Sequence, residues 1–173
     1  LGTYCPLKAM TYTLVCPKGF ICGTPGTVCP VVKCPPGYYC LAGTTTANSL
    51  DISVPTRPYI CTSGTFCLAG VGAAPTLNTD YRHPQVCTEG SYCPPGSGTV
   101  EGQLCPPGFY CPLGSVAPIP ASPGLFAAGL GSVRGTECSP GTFSPTFAAA
   151  GCSICPSGFT CRDFGIVQPS ICP

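Results

Sequence analysis

The side chains that could do chemistry here are the cysteines: seventeen among 173 residues, beside one histidine, seven basic and six acidic residues. A thiol serves as a nucleophile, a metal ligand or half of a disulfide, and spacing separates these roles. Structural zinc takes close ligand pairs, typically two Cys-x-x-Cys knuckles. Only Cys152-Ser-Ile-Cys155 has that form, and His83 is the sole histidine, so no metal site is expected. Regularly recurring cysteines are structural far more often than nucleophilic. A cysteine density of about a tenth belongs to secreted, disulfide-stapled proteins, because a reducing cytosol keeps thiols free. Cys5, Cys16, Cys22, Cys29, Cys34, Cys40, Cys61, Cys67, Cys87, Cys93, Cys105, Cys111, Cys138, Cys152, Cys155, Cys161 and Cys172 are therefore read as disulfide formers in an extracellular protein. Seventeen is odd, so at least one has no partner within the chain, and Cys29 or Cys34 is the candidate.

Other chemistry has little to stand on. The carboxylates Asp51, Asp80, Glu89, Glu101, Glu137 and Asp163 are scattered, without calcium-loop spacing or an acid/base pair. No Gly-x-Ser-x-Gly elbow surrounds a serine, and no glycine-rich phosphate loop precedes a helix. No catalytic residue and no cofactor is expected. With 8% charged residues and a net charge of +1, the chain has no basic patch for nucleic acid and no polybasic run for anionic lipid. Its most apolar stretch, residues 117–133, is interrupted by Pro118, Pro120 and Pro123, so no membrane span is expected in this window. A secretion signal would lie outside it.

The cysteines sit in a repeat. The motif is Cys-Pro-x-Gly-x-Tyr/Phe-Cys, as in Cys34-Pro-Pro-Gly-Tyr-Tyr-Cys40 and Cys105-Pro-Pro-Gly-Phe-Tyr-Cys111. Copies open at Cys16, Cys34, Cys61, Cys87, Cys105, Ala121, Cys138, Cys155 and Cys172. The base unit is about 17 residues, with inserts at residues 44–58 and 71–85 read as longer projecting loops. The last copy is completed by the first residues, reading Cys172-Pro173-Leu1-Gly2-Thr3-Tyr4-Cys5. The chain is therefore read as one continuous array over residues 1–173, and as one period or window of a longer repeating chain.

Position four is glycine in every copy, and Pro36, Pro107, Pro123 and Pro140 precede it in four. Pro-Gly suits a type II turn, in which proline presets φ and glycine takes the positive φ that other residues resist. Position five or six is aromatic in every copy. So small a unit cannot build its own core, so one aromatic per unit is expected to stack on the neighbouring disulfide and turn. No stretch keeps helical periodicity for three turns without proline or glycine. The fold class expected is small, disulfide-rich and all-β or irregular: an elongated tandem-repeat rod of short β-hairpin units with almost no helix.

Connectivity cannot be deduced from sequence alone, and two registers stand out. In the favoured one, the second cysteine of each motif pairs with the first of the next, giving Cys5–Cys16, Cys40–Cys61, Cys67–Cys87, Cys93–Cys105, Cys111–Cys138 and Cys161–Cys172. Cys22 then takes Cys29 or Cys34, and Cys152–Cys155 closes a tight ring. Each bridge would staple a unit to its neighbour and contribute about 2–4 kcal/mol. In the second register Cys138 pairs with Cys152. The copy Ala121-Ser-Pro-Gly-Leu-Phe-Ala127 has neither cysteine, and Cys138-Ser-Pro-Gly-Thr-Phe-Ser144 lacks the second.

The stretches from Cys34 to Gly43, Cys105 to Gly114 and Cys138 to Cys155 resemble the ephrin-receptor-like cysteine-rich repeats. More distantly, they resemble tumour-necrosis-factor-receptor modules. The resemblance covers essentially the whole chain. It extends to long arrays in large algal and protist surface proteins, including mastigoneme proteins of flagellar hairs. It implies a structural subunit of an extracellular filament, whose partners are other copies of the same chain, head-to-tail and lateral. The alternative is a ligand-binding or stalk region of a surface receptor or adhesin, with contacts in the inserts near Arg57, Tyr59, Tyr81 and Arg82. Low charge leaves the surface to be covered by assembly or by O-linked glycans. The glycan candidates are Thr44, Thr45, Thr46, Ser122, Ser139 and Ser144, or hydroxylated Pro118, Pro120 and Pro123.

Overall fold

A computed structural model of the chain describes residues 1–7, 12–46, 56–72, 83–100 and 102–172. Among these there is no helix. Every regular element is a two-residue strand, and the strands pair in nine antiparallel hairpins. The chain divides into two compact units, Leu1–Cys87 with Cys93–Gly102, and Thr88–Tyr92 with Gln103–Pro173. The first unit contains β1 (Thr3–Tyr4) paired with β2 (Leu14–Val15), β3 (Phe20–Ile21) with β4 (Val32–Lys33), β5 (Tyr38–Tyr39) with β6 (Tyr59–Ile60), and β7 (Thr65–Phe66) with β8 (Gln85–Val86). The second contains β9 (Ser91–Tyr92) with β10 (Gln103–Leu104), β11 (Phe109–Tyr110) with β12 (Ile119–Pro120), β13 (Leu125–Phe126) with β14 (Thr136–Glu137), β15 (Thr142–Phe143) with β16 (Ser153–Ile154), and β17 (Phe159–Thr160) with β18 (Ser170–Ile171).

The sequence explains these elements directly. Positions five and six of each motif, rich in aromatic and β-branched residues, form the first strand of a hairpin. The two residues just before the next motif form the second. The motif itself is the turn between hairpins: the N–H of position five donates to the carbonyl of position two, as from Phe109 to Pro106 at 3.1 Å. All nine position-four glycines have φ between 76° and 88°, which is type II geometry. The inserts lie between β5 and β6 and between β7 and β8, so they lengthen hairpin loops and leave the register intact. Most of each insert, residues 47–55 and 73–82, lies outside the described residues.

Within each compact unit the same main-chain bonds join one hairpin to the next. The glycine N–H of a motif donates to the position-seven carbonyl of the following motif. This runs from Gly2 to Cys22, Gly19 to Cys40, Gly37 to Cys67 and Gly64 to Cys93 in the first unit. It runs from Gly90 to Cys111, Gly108 to Ala127, Gly124 to Ser144 and Gly141 to Cys161 in the second. The glycine carbonyl accepts from the opening N–H of that same following motif. Even the cysteine-free copy keeps this bond, its opening residue Ala121 donating to Gly108 at 2.9 Å. Bonds of this kind satisfy main-chain groups that a chain with so little regular structure would otherwise leave open.

The core is correspondingly small and repeated. Ile21 packs against Cys34 and Cys40, Tyr39 against Cys61 and Cys67, and Phe66 against Cys87 and Cys93. The position-six side chain of one motif thus rests on the cysteines of the next. The expected stacking on the neighbouring disulfide is present in these three clusters, with Ile21 standing in for an aromatic.

Gly108 combines two constraints. Its φ is 88°, and a Cβ there would fall on the carbonyl oxygen of Ala148, two motifs further on. Gly141 has a φ of 86° but open space around it. Gly141→Ala should therefore cost the dispersed chain about 1–2 kcal/mol of conformational strain. Gly108→Ala should cost clearly more, because backbone must also move. Denaturant unfolding under oxidising conditions measures both, and equal losses would refute the close-packing account.

Candidate functional site

The cysteines remain the chemically distinctive groups, and the structure pairs most of them. Cys16–Cys22, Cys34–Cys40, Cys61–Cys67, Cys87–Cys93, Cys105–Cys111 and Cys155–Cys161 each join the two ends of one motif, six residues apart. The seventh bridge is Cys138–Cys152. Cys5, Cys29 and Cys172 carry free thiols.

This overturns the favoured register, in which each bridge linked one motif to the next. The reason lies in the antiparallel pairing. Thr3 faces Val15 and Tyr4 faces Leu14, and the Cys16 N–H donates to Gly2. The opening cysteine of a motif therefore sits opposite the preceding turn glycine, at the far end of the hairpin from the preceding position-seven cysteine. The turn instead brings positions one and seven of a single motif to Cα separations of 5.7–6.1 Å, within the range a disulfide spans. Cys34 is bonded to Cys40, so of the two candidates for an unpaired cysteine it is Cys29 that is free and exposed. The tight Cys152–Cys155 ring does not form. Cys138–Cys152, part of the second register, does.

A sequence signal for the pairing within motifs was present. The copy at Ala121 and Ala127 lacks both cysteines together, as partners in one bond would be lost. Its turn is nevertheless kept: Gly124 has a φ of 85°, the Ala127 N–H donates to Ala149 at 3.0 Å, and both alanines are buried. In the Cys138 copy Ser144 occupies position seven, is buried, and leaves Cys138 to Cys152.

The glycan candidates divide by exposure. Thr44 is 1% exposed, and its hydroxyl donates to the Leu41 carbonyl at 2.8 Å. Ser144 is 2% exposed. Neither presents its oxygen to a sugar transferase in the folded chain, a correction to their candidacy. Thr45 and Thr46 are half-buried, and Thr45 shares a 2.7 Å hydrogen bond with Thr56. Pro120, Ser122 and Ser139 are exposed, while Pro118 and Pro123 are half-buried.

Of the insert residues singled out for ligand contact, Tyr81 and Arg82 lie outside the described residues. Tyr59 stacks on Tyr39 with ring centroids 5.3 Å apart, and the Arg57 guanidinium lies 6.0 Å from the Tyr59 centroid. These side chains pack on one another as a local cation–π and stacking group. Among the described residues, no group of three or more histidine, cysteine, aspartate or glutamate side chains could hold a metal. No described helix is long and apolar enough to cross a membrane. Comparison with protein-family models and with curated proteins finds no match.

Each short bridge should contribute about 2 kcal/mol, since the chain-entropy gain from closing a loop of about seven residues is small. Replacing a pair by the alanines already present at positions 121 and 127 should therefore be tolerated. Cys105→Ala with Cys111→Ala should keep the hairpin fold, lower unfolding free energy by about 2 kcal/mol, and leave all other bridges unchanged in a non-reduced peptide map. Loss of folding in this double variant would show that the bridges, and not the turns, define the unit.

Proposed function

We propose that the chain is a structural subunit of an extracellular filament, built by repetition of the hairpin unit and related in kind to ephrin-receptor-like repeat arrays such as those of mastigonemes. Disulfide-rich repeated hairpins fit an extracellular structural or receptor-like role, since seven bridges need an oxidising compartment. The observation that carries the filament reading is the repeated main-chain bonding from eight of the nine turn glycines to the next motif's position seven. Bonding of that form lets identical units be added indefinitely, as in other repeat proteins. No group of side chains has to be assembled for it to work.

The surface supports lateral association. The residue before the motif opening is a large exposed apolar side chain in six of the nine hairpins: Val15, Ile60, Val86, Leu104, Ile154 and Ile171. Charged residues make up 8% of the chain, about a third of the usual share. An extracellular protein of this kind buries such surface against copies of itself or beneath sugar, and exposed Pro120, Ser122 and Ser139 are the sites left for O-linked glycans in this reading. The packing of Arg57 on Tyr59 and of Tyr59 on Tyr39 gives these side chains a structural role, which favours the filament over a ligand-binding stalk.

Electron microscopy of native, unreduced material with helical averaging tests the proposal. Uniform filaments whose axial repeat accommodates one 173-residue unit are expected. Dispersed chains attached to a membrane or a globular head would move the function to a receptor stalk. Ile60→Lys with Leu104→Lys, at side chains 51% and 57% exposed, should leave the unfolding midpoint nearly unchanged and reduce lateral bundling.

A further inference from the structure

We propose that the Lys33 ammonium of one chain pairs with the Glu137 carboxylate of a second chain and sets the register in which copies associate side by side. The inference rests on the filament reading and adds the contact that orders it. The row of residues just before the motif openings, which carries six exposed apolar side chains, is completed by Lys33, Pro120 and Glu137. All nine positions are exposed, and among them stand a single cation and a single anion.

The two charged side chains stand where the apolar ones stand. Lys33 ends β4 and faces Phe20 across the hairpin, and Glu137 ends β14 and faces Leu125. The stem of each lies over the positive-φ glycine that follows the next motif. A Cβ on Gly70 would meet Lys33 Cδ at 3.6 Å, and one on Gly165 would meet Glu137 Cγ at 3.9 Å. Ile60 lies over Gly96 and Leu104 over Gly131 in the same way, at 3.4 and 3.5 Å. Packing the stem along the chain leaves the charged head in water. Among the described residues neither head group has an ion-pair or hydrogen-bond partner.

A row with one charge of each sign amid apolar side chains is complementary to a second copy of itself. A nucleic acid or an anionic lipid surface would call for cations alone. Association in register would set Lys33 against Lys33 and Glu137 against Glu137, and like charges brought together in a contact are costly. Setting Lys33 on Glu137 removes that conflict. It brings the row of the first compact unit of one chain, Val15 to Val86, onto the row of the second unit of another, Leu104 to Ile171. Counting hairpins outward from the pair, rows running in the same direction then set Ile60 on Ile154 and Val86 on Ile171. Rows running in opposite directions set Val15 on Ile154 and Val86 on Leu104. Either way apolar meets apolar. An exposed ion pair adds little affinity, so the apolar side chains hold the contact and the pair excludes the wrong registers.

The test is zero-length carbodiimide cross-linking of native, unreduced filaments, followed by peptide mapping. The expected product is an amide between Lys33 and Glu137. Filaments reassembled from isotopically heavy and light chains should give mixed heavy–light pairs, and pairs of a single isotope would overturn the link between chains. Filaments in which Lys33 is joined only to another carboxylate, or to none, overturn the pair and leave the filament reading standing. The linked pair found in discrete dimers keeps the pair and removes the filament. Glu137→Lys should leave the unfolding midpoint of the dispersed chain nearly unchanged and raise the concentration needed for lateral association about tenfold or more. Lys33→Glu should do the same. The two reversals combined in one chain should restore both association and the cross-link. Impaired association in the single variants with no recovery in the double one would show that the two side chains meet something other than each other, and overturn the pair.

Discussion

The structure depends on the N–H of a glycine held at positive φ. Within each compact unit that glycine turns the chain and, in eight of the nine motifs, sends its N–H to the next motif's position seven, while its carbonyl accepts from that motif's opening residue. A side chain would fail twice, because the backbone conformation disfavours it and, at Gly19 or Gly108, a carbonyl occupies the space a Cβ would take. Two-residue strands are far too short to be stable alone. They persist because each hairpin's turn is bonded to the next hairpin along the chain.

This arrangement divides labour between covalent and non-covalent links. With the exception of Cys138–Cys152, the bridges tie a turn to itself and do not cross between motifs. Main-chain hydrogen bonds carry the connection from unit to unit, and the bridge provides a dense apolar block on which the preceding position-six side chain packs. The connection between motifs is therefore made by the main-chain ladder and by packing on buried sulfur, and not by a covalent chain of staples. The Ala121–Ala127 copy makes the point within the molecule. Two buried alanines replace the sulfurs, and the turn and its bonds to its neighbours survive.

Much of this was legible in the sequence because turns and strands are local. The invariant glycine announced positive φ, the aromatic at position five or six marked the strand, and the absence of helical periodicity excluded helices. The bridge register was not legible by the same means. It depends on which residues an antiparallel pair sets opposite each other, and the strands are only two residues long, too short to show alternation. Units with so little core call for links between them, a demand that main-chain hydrogen bonds meet in place of disulfides. Thr44 shows a similar limit. Its place in a run of three threonines suggested a loop open to glycans, but the chain after Cys40 folds back as a turn and buries the hydroxyl against Leu41.

A repeat bonded this way is incomplete wherever a following unit is missing. Cys16, Cys34, Cys61, Cys87, Cys105 and Cys138 are all fully buried, whereas Cys155 is half-buried and Cys172 exposed. The motifs are alike in sequence, so the difference comes from the units stacked after each of them and not from the residues themselves. In six of the nine hairpins the apolar side chain just before a motif is left exposed. A monomer adapted to water would have placed charge at such positions, as Lys33 and Glu137 do in two of them. Keeping valine, leucine and isoleucine there suits a surface that meets another surface.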